Sequence, residues 1–171
     1  GVLGDRSVLM LSDTKFEEAD LSRLTRFFGP GPLVYSPLAP TVKEMHHAAV
    51  AAVAGFSAAK AWPQAPNPVS ADDLWPERAC NGDELARTAL VEQVYQPLQQ
   101  ASNGLAETLS SYLALGHSLE GTARELFVHA NTVRYRLKRV SEVTGWDPLV
   151  PRDAFVLQTA LLFGRLHESN L

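Results

Sequence analysis

The pattern of apolar and polar positions divides the chain into an N-terminal part with strand-like runs and a C-terminal part that is helical throughout. Short apolar runs over 7–11 and 32–38 predict two strands, and a helix with apolar residues at helical spacing follows each of them. The glycines and prolines at 29–32 end the first of these helices. Residues 1–70 therefore predict the order strand–helix–strand–helix.

The second helix of this part has a clear start signal. Thr41 followed three residues later by Glu44 is a capping-box pattern, and the helix is predicted to run through Ala61. A brief strand near Val69 could follow the proline-rich loop at 63–70. The predicted core-facing positions of the helix are its apolar members at helical spacing, Val42, Met45, Ala49, Ala52, Val53 and Phe56.

Helical patterns continue after residue 70. Asp83 is predicted to cap a helix that Pro97 stops or kinks, and Gly116 fits the left-handed residue that ends the helix after it. The last helix opens at Pro151 or Asp153 and is apolar on more than one side. The predicted core positions of the middle helices include Leu85, Ala89, Leu90, Val94, Tyr95, Leu105, Leu109, Tyr112 and Leu113.

Residues 118–140 predict two short helices joined by a tight turn. Ser118 is a natural N-cap for the first, and His129, in preference to Asn131, caps the second. Helix-turn-helix corners often have glycine where this chain has Phe127. A left-handed residue with a side chain costs about 1–2 kcal/mol, so either the turn relaxes or packing of the ring offsets that cost.

The second helix of this pair has two different faces. Val133, Leu137 and Val140 fall within about 40° of one another on a helical wheel and form an apolar stripe. The opposite half carries amide, hydroxyl and cationic groups, with no acidic residue over 130–140. Such a helix can pack on a core and lie in the major groove of DNA, although a solvated surface helix would show a similar pattern.

Side-chain chemistry suggests roles for residues on and beside the predicted recognition helix, which covers about residues 130–140. Amides and hydroxyls near its start suit base edges, whereas cations suit phosphates. The expected contacts to bases or sugars are Asn131, Thr132 and Tyr135. The expected phosphate contacts are Thr122, His129, Arg134, Arg136, Lys138 and Arg139, with Arg136 alternatively contacting a guanine.

Charge and composition narrow the function further. The net charge is −4, with 8 basic and 12 acidic residues over 1–101 and 7 of each over 102–171, so only a local patch can attract phosphate. The chain has a single cysteine, Cys80, which excludes internal disulfides and zinc-finger ligand sets and fits a reducing compartment. We expect Cys80 to be a small buried side chain and not a nucleophile. The chain shows no signal peptide or membrane-length apolar run. Because the chain begins at Gly1 and not at Met, we expect a fragment of a longer protein. The expected location is the cytoplasm.

The C-terminal half also resembles a known family. Residues 104–166 are similar to the helix-turn-helix domain of PucR-type (purine-catabolism regulator) bacterial transcription factors. The matching positions are Thr122, Ala123, Leu126, Val128, His129, Asn131, Thr132, Val133, Tyr135, Arg136, Leu137, Thr144, Gly145, Asp147, Asp153, Leu157 and Ala160. In such proteins a degenerate cyclase-like domain commonly precedes the DNA-binding domain, and residues 1–70 could be the end of one.

These observations predict an α+β fold that is mostly α, with a Fis-like helix-turn-helix domain. The expected segments are a partial cyclase-like region at 1–70, a helical linker at 71–102 and the DNA-binding domain at 103–171. The expected function is sequence-specific binding of duplex DNA by a homodimer, without a cofactor, in transcription regulation. One alternative is a module that docks on RNA polymerase or another protein without binding DNA tightly. The other is a cyclase-like enzyme, whose signature loop and metal carboxylates are missing.

Overall fold

The computed structural model describes residues 2–3, 6–9, 18–101 and 104–169. The fold is α+β and mostly α, as predicted. Its strands are β1 (Val2–Leu3), β2 (Arg6–Ser7), β3 (Val34–Tyr35) and β4 (Val69–Ser70). Its α-helices are α1 (Glu18–Leu24), α2 (Val42–Ala58), α3 (Trp75–Cys80), α4 (Glu84–Ala89), α5 (Gln96–Gln100), α6 (Leu105–Ala114), α7 (Leu119–Glu125), α8 (Ala130–Thr144) and α9 (Pro151–Ser169). Contacts group the chain into two compact units, Gly1–Glu77 and Arg78–Leu171.

The strands of the first unit form two short pairs. β1 and β2 are antiparallel, whereas β3 and β4 are parallel, with Val34 opposite Val69. The brief strand predicted near Val69 is therefore confirmed. The strand predicted over 7–11 is wrong for the described residues after Ser7, because β2 ends at Ser7 and both Val8 and Leu9 are exposed. Residues 10–11 lie outside the described residues.

Helix α2 begins with the predicted capping box. The Glu44 backbone N–H donates to Thr41 Oγ1 at 3.3 Å, and the Thr41 N–H donates to Glu44 Oε2 at 3.0 Å. The predicted core face of α2 is wrong, however. The residues of α2 that are buried are Ala51, Gly55 and Ala58, whereas Val42 is 83% exposed. A Cβ added to Gly55 would lie 2.9 Å from Val34 Cγ1, so the helix lies against β3 on its side of small residues.

The second unit starts with a buried ion pair and a continuous helical run. Asp83 caps α4 by accepting the Leu85 N–H at 3.0 Å, and its other oxygen accepts from Arg78 Nε at 2.8 Å. The run continues through a π-helical turn, Leu90–Tyr95, into α5. Pro97 lacks an N–H and lies at the start of α5, so the helix is distorted there rather than stopped. Cys80 is exposed at the end of α3, contrary to the prediction that it is buried.

The core of the second unit is formed where α6, α8 and α9 meet the 84–100 run. Gly116 is left-handed after α6, as predicted, with φ 64°. The last helix begins at Pro151, one of the two predicted starts, and leaves Phe155, Leu162 and Leu166 partly exposed. The fully buried large apolar side chains of this unit include Leu90, Val94, Leu98, Leu109, Val133, Leu137, Val140, Val156 and Leu157. Leu85, which was predicted for the core, is exposed instead. Among the described residues, no helix combines the length and apolarity needed to cross a bilayer.

Candidate nucleic-acid interface

The two helices predicted over 118–140 are present as α7 and α8, and local hydrogen bonds fix where each begins. Ser118 Oγ accepts the Gly121 N–H at 3.0 Å, which caps α7. His129 Nδ1 accepts the Asn131 N–H at 3.1 Å, and the His129 carbonyl accepts the Thr132 N–H at 2.8 Å. His129 is therefore the N-cap of α8, as preferred from the sequence.

The turn between α7 and α8 is held by backbone hydrogen bonds around a left-handed residue. Val128 N–H donates to the Ala123 carbonyl at 3.0 Å, and Phe127 adopts φ 53°. The Phe127 ring is 95% exposed. Neither expected remedy for the strain is observed, because the turn keeps the left-handed conformation and the ring does not pack.

The inner face of α8 is the predicted one. Val133, Leu137 and Val140 have 0%, 2% and 0% exposure. These side chains hold α8 against the core of the unit, and Ala123 on α7 is buried beside the turn. The apolar stripe therefore determines which half of α8 remains available to a ligand.

The outer face of α8 carries most of the predicted contact residues. Asn131, Arg134 and Tyr135 are exposed, and Thr132 is half-buried. Asn131 Oδ1 accepts a hydrogen bond from Arg134 Nη1 at 2.8 Å. The amide and the guanidinium, on successive turns of the helix, are therefore in direct contact. The face thus presents hydrogen-bonding groups and positive charge next to each other.

Two of the four cations on α8 share an acidic partner, Glu142, which lies beyond the predicted recognition helix. Lys138 Nζ lies 4.0 Å from Glu142 Oε1, and Arg139 Nη1 hydrogen-bonds to Glu142 Oε2. The i+3 and i+4 spacing of Glu142 from these cations is a signal that the sequence contains. The positive charge at this end of α8 is therefore partly neutralised.

Arg136 is placed differently from the other cations. Its side chain is half-buried, and Nη1 donates to Thr108 Oγ1 on α6 at 3.0 Å. Thr108 itself is fully buried. No sequence signal connects these two residues, which are 28 positions apart.

Thr122 on α7 is buried, contrary to the expectation that its side chain contacts a phosphate. Thr122 has 0% exposure, and its hydroxyl donates to the Ser118 carbonyl at 2.8 Å. That bond satisfies the hydroxyl inside the helix, which allows the side chain to be buried. A phosphate contact through the Thr122 side chain is therefore removed from the candidate interface.

A tight corner between two helices, with the second packed by one face and polar on the other, defines a helix-turn-helix domain. Residues 105–163 match the family of the PucR C-terminal helix-turn-helix domain. This match agrees with the resemblance seen in the sequence.

Three relatives extend the comparison. The chain is 47% identical over 150 residues to an uncharacterized protein of Mycobacterium tuberculosis, covering 88% of this chain and 36% of that protein. It is 40% identical over 68 residues to the purine catabolism regulatory protein of Bacillus subtilis, covering 40% of this chain and 13% of that protein. The crystal structure of a regulator of polyketide synthase expression from Bifidobacterium adolescentis has a TM-score of 0.81 and 44% identity, covering 88% of this chain and 60% of that one.

The chain thus spans about a third of the length of the mycobacterial relative. Its helix-turn-helix domain is of the kind found in transcription regulators. The cyclase-like interpretation of residues 1–70 and the three-segment division of the chain stay predictions.

Proposed function

We propose that this chain binds duplex DNA in a sequence-specific manner, with α8 in the major groove, as part of a cytoplasmic transcription regulator. The observation that carries the proposal is the separation of faces on α8. Val133 and Leu137 are buried, whereas Asn131, Arg134 and Tyr135 are exposed on the other side. This arrangement is typical of recognition helices, which pack by one face and contact DNA by the other.

Within this proposal, side-chain chemistry assigns the contacts. Asn131, Thr132 and Tyr135 contact base edges or sugars, because amide and hydroxyl groups can donate and accept hydrogen bonds there. The phosphate contacts are His129, Arg134, Lys138 and Arg139. A homodimer on a two-fold repeated site follows from the symmetry with which such domains commonly bind DNA.

The test is duplex binding measured as a function of salt, after selection of bound sites from a random duplex library. Arg134→Gln should weaken binding to all sequences and reduce the magnitude of the salt slope by about 0.9, the value for one lost phosphate contact. Asn131→Ala should cost about 1–3 kcal/mol on the selected site and relax its sequence preference. Arg23→Gln, at an exposed cation outside this domain, is the matched control.

Binding that does not depend on salt, or an Arg134→Gln variant that binds like the parent, would refute the proposal. A second candidate function is docking on a protein such as RNA polymerase, and the exposed Phe127 ring favours it. In that case the parent would capture polymerase but bind duplex DNA only weakly, and Phe127→Ala would abolish the capture.

A further inference from the structure

A chain of two hydrogen bonds connects the middle of α8 to the start of α6. Arg136 Nη1 donates to Thr108 Oγ1 at 3.0 Å, and the Thr108 hydroxyl donates in turn to the Gly104 carbonyl at 2.8 Å. Thr108 has 0% exposure, so its hydroxyl depends on these two partners. Hydrogen bonds in such a series polarise and strengthen one another.

The Arg136 guanidinium also approaches the backbone at the start of α6. Gly104 has φ 65°, and a Cβ built on it would lie 3.6 Å from Arg136 Nη1 and 3.4 Å from Glu107 Oε2. The guanidinium and the Glu107 carboxylate therefore approach the same α-carbon. A cation near a helix N-terminus is unfavourable by itself, and the carboxylate in the first turn of α6 counteracts that effect.

The apolar contacts of α8 determine which half of the helix is buried, but they determine its fine rotation about its own axis less closely. Burial of Val133, Leu137 and Val140 brings α8 onto the core, but apolar packing is not directional. A hydrogen bond is directional, and Arg136 directly follows Tyr135 on the helix. The bond to Thr108 therefore resists rotation of α8 about its own axis.

We infer that Arg136 is a positioning residue, which acts through Thr108 to aim the exposed face of α8, rather than a phosphate contact. The inference rests on the proposed duplex binding. It separates Arg136 from Arg134, whose guanidinium is exposed and hydrogen-bonds within α8 to Asn131. Loss of a positioning contact should reduce discrimination between sequences and leave the number of phosphate contacts unchanged.

The experiment uses the whole chain and five variants, which are Arg136→Gln, Thr108→Val, the double variant of these two, Thr108→Ser and the control Arg134→Gln. Each is titrated with the selected duplex and with a scrambled duplex at several salt concentrations. Arg136→Gln and Thr108→Val should each lower the preference for the selected duplex by roughly fivefold, the value of one hydrogen bond, with the parent's salt slope. The double variant should lose no more than either single variant. Thr108→Ser, which keeps the hydroxyl, should retain the parent's preference.

Two results would overturn the inference. In the first, Arg136→Gln reduces the magnitude of the salt slope as Arg134→Gln does, while Thr108→Val binds like the parent. The other is additive effects of the two substitutions on the unfolding equilibrium in denaturant, where a direct contact should give roughly fivefold coupling. The denaturant measurement needs no DNA. If the two substitutions are coupled in denaturant but the parent shows no salt-dependent duplex binding, the contact exists. In that case the proposed function is wrong, and the positioning role of Arg136 is wrong with it.

Discussion

The ring of Tyr95 lies directly against the α-carbon of Gly164. A Cβ built on Gly164 would overlap Cγ, Cδ1 and Cδ2 of that ring. Tyr95 is buried in the π-helical turn before α5, and Gly164 is buried in α9. The last helix can therefore approach the 84–100 run only because position 164 has no side chain.

Gly164→Ala should lower the free energy of unfolding by about 3 kcal/mol, the upper part of the range for overpacked cores, because the ring is enclosed. Denaturant titration of parent and variant measures the change. Gly29→Ala is the matched control, since no atom lies within 4 Å of a Cβ at that position. Equal destabilisation by the two substitutions would contradict the role assigned to the contact.

Asp83 should be important for stability because it combines an ion pair with a helix cap. Its side chain is 9% exposed and that of Arg78 is 2% exposed. Asp83→Ala should cost about 3–5 kcal/mol, the range for removing one member of a buried pair. Asp83→Asn should cost less, because its amide oxygen can still accept the Leu85 N–H. As a control, Asp20→Ala in the exposed Arg23–Asp20 pair should cost less than about 1 kcal/mol.

Phe127→Gly should stabilise the protein by about 0.5–1 kcal/mol. Glycine adopts φ 53° without the strain that a side chain imposes, and the exposed ring contributes no packing that would be lost. Thermal or denaturant unfolding of Phe127→Gly and Phe127→Ala tests this, because alanine keeps the strained conformation and should bring no gain. A glycine variant less stable than the alanine variant would show that the turn is not strained.

Glu142 should restrain the proposed DNA binding. Because its carboxylate partly neutralises Lys138 and Arg139, Glu142→Gln should tighten duplex binding by about twofold to fivefold at low salt, with a smaller effect at high salt. Fluorescence anisotropy with the selected duplex gives the change. Glu92→Gln, an exposed acid in the π-helical turn, is the control for net charge. Similar tightening by both substitutions would indicate a general charge effect instead.

Local signals in the sequence determined the starts of four helices, α2, α4, α7 and α8, and the buried face of α8. Thr41, Asp83, Ser118 and His129 act as caps because their partners lie two or three residues away in the chain. The stripe of Val133, Leu137 and Val140 follows from helical periodicity alone. The helix-turn-helix unit could therefore be predicted from the sequence alone.

Tertiary packing decided the rest. The buried side of α2 depends on how closely Gly55 approaches Val34, which hydropathy cannot indicate because small residues are only weakly apolar. The destination of Arg136 depends on a buried hydroxyl 28 residues away, and a guanidinium has the same charge whether it meets a phosphate or Thr108. Sequence patterns act over a few residues, so they fix the faces of a helix but not what a long polar side chain on that helix will contact.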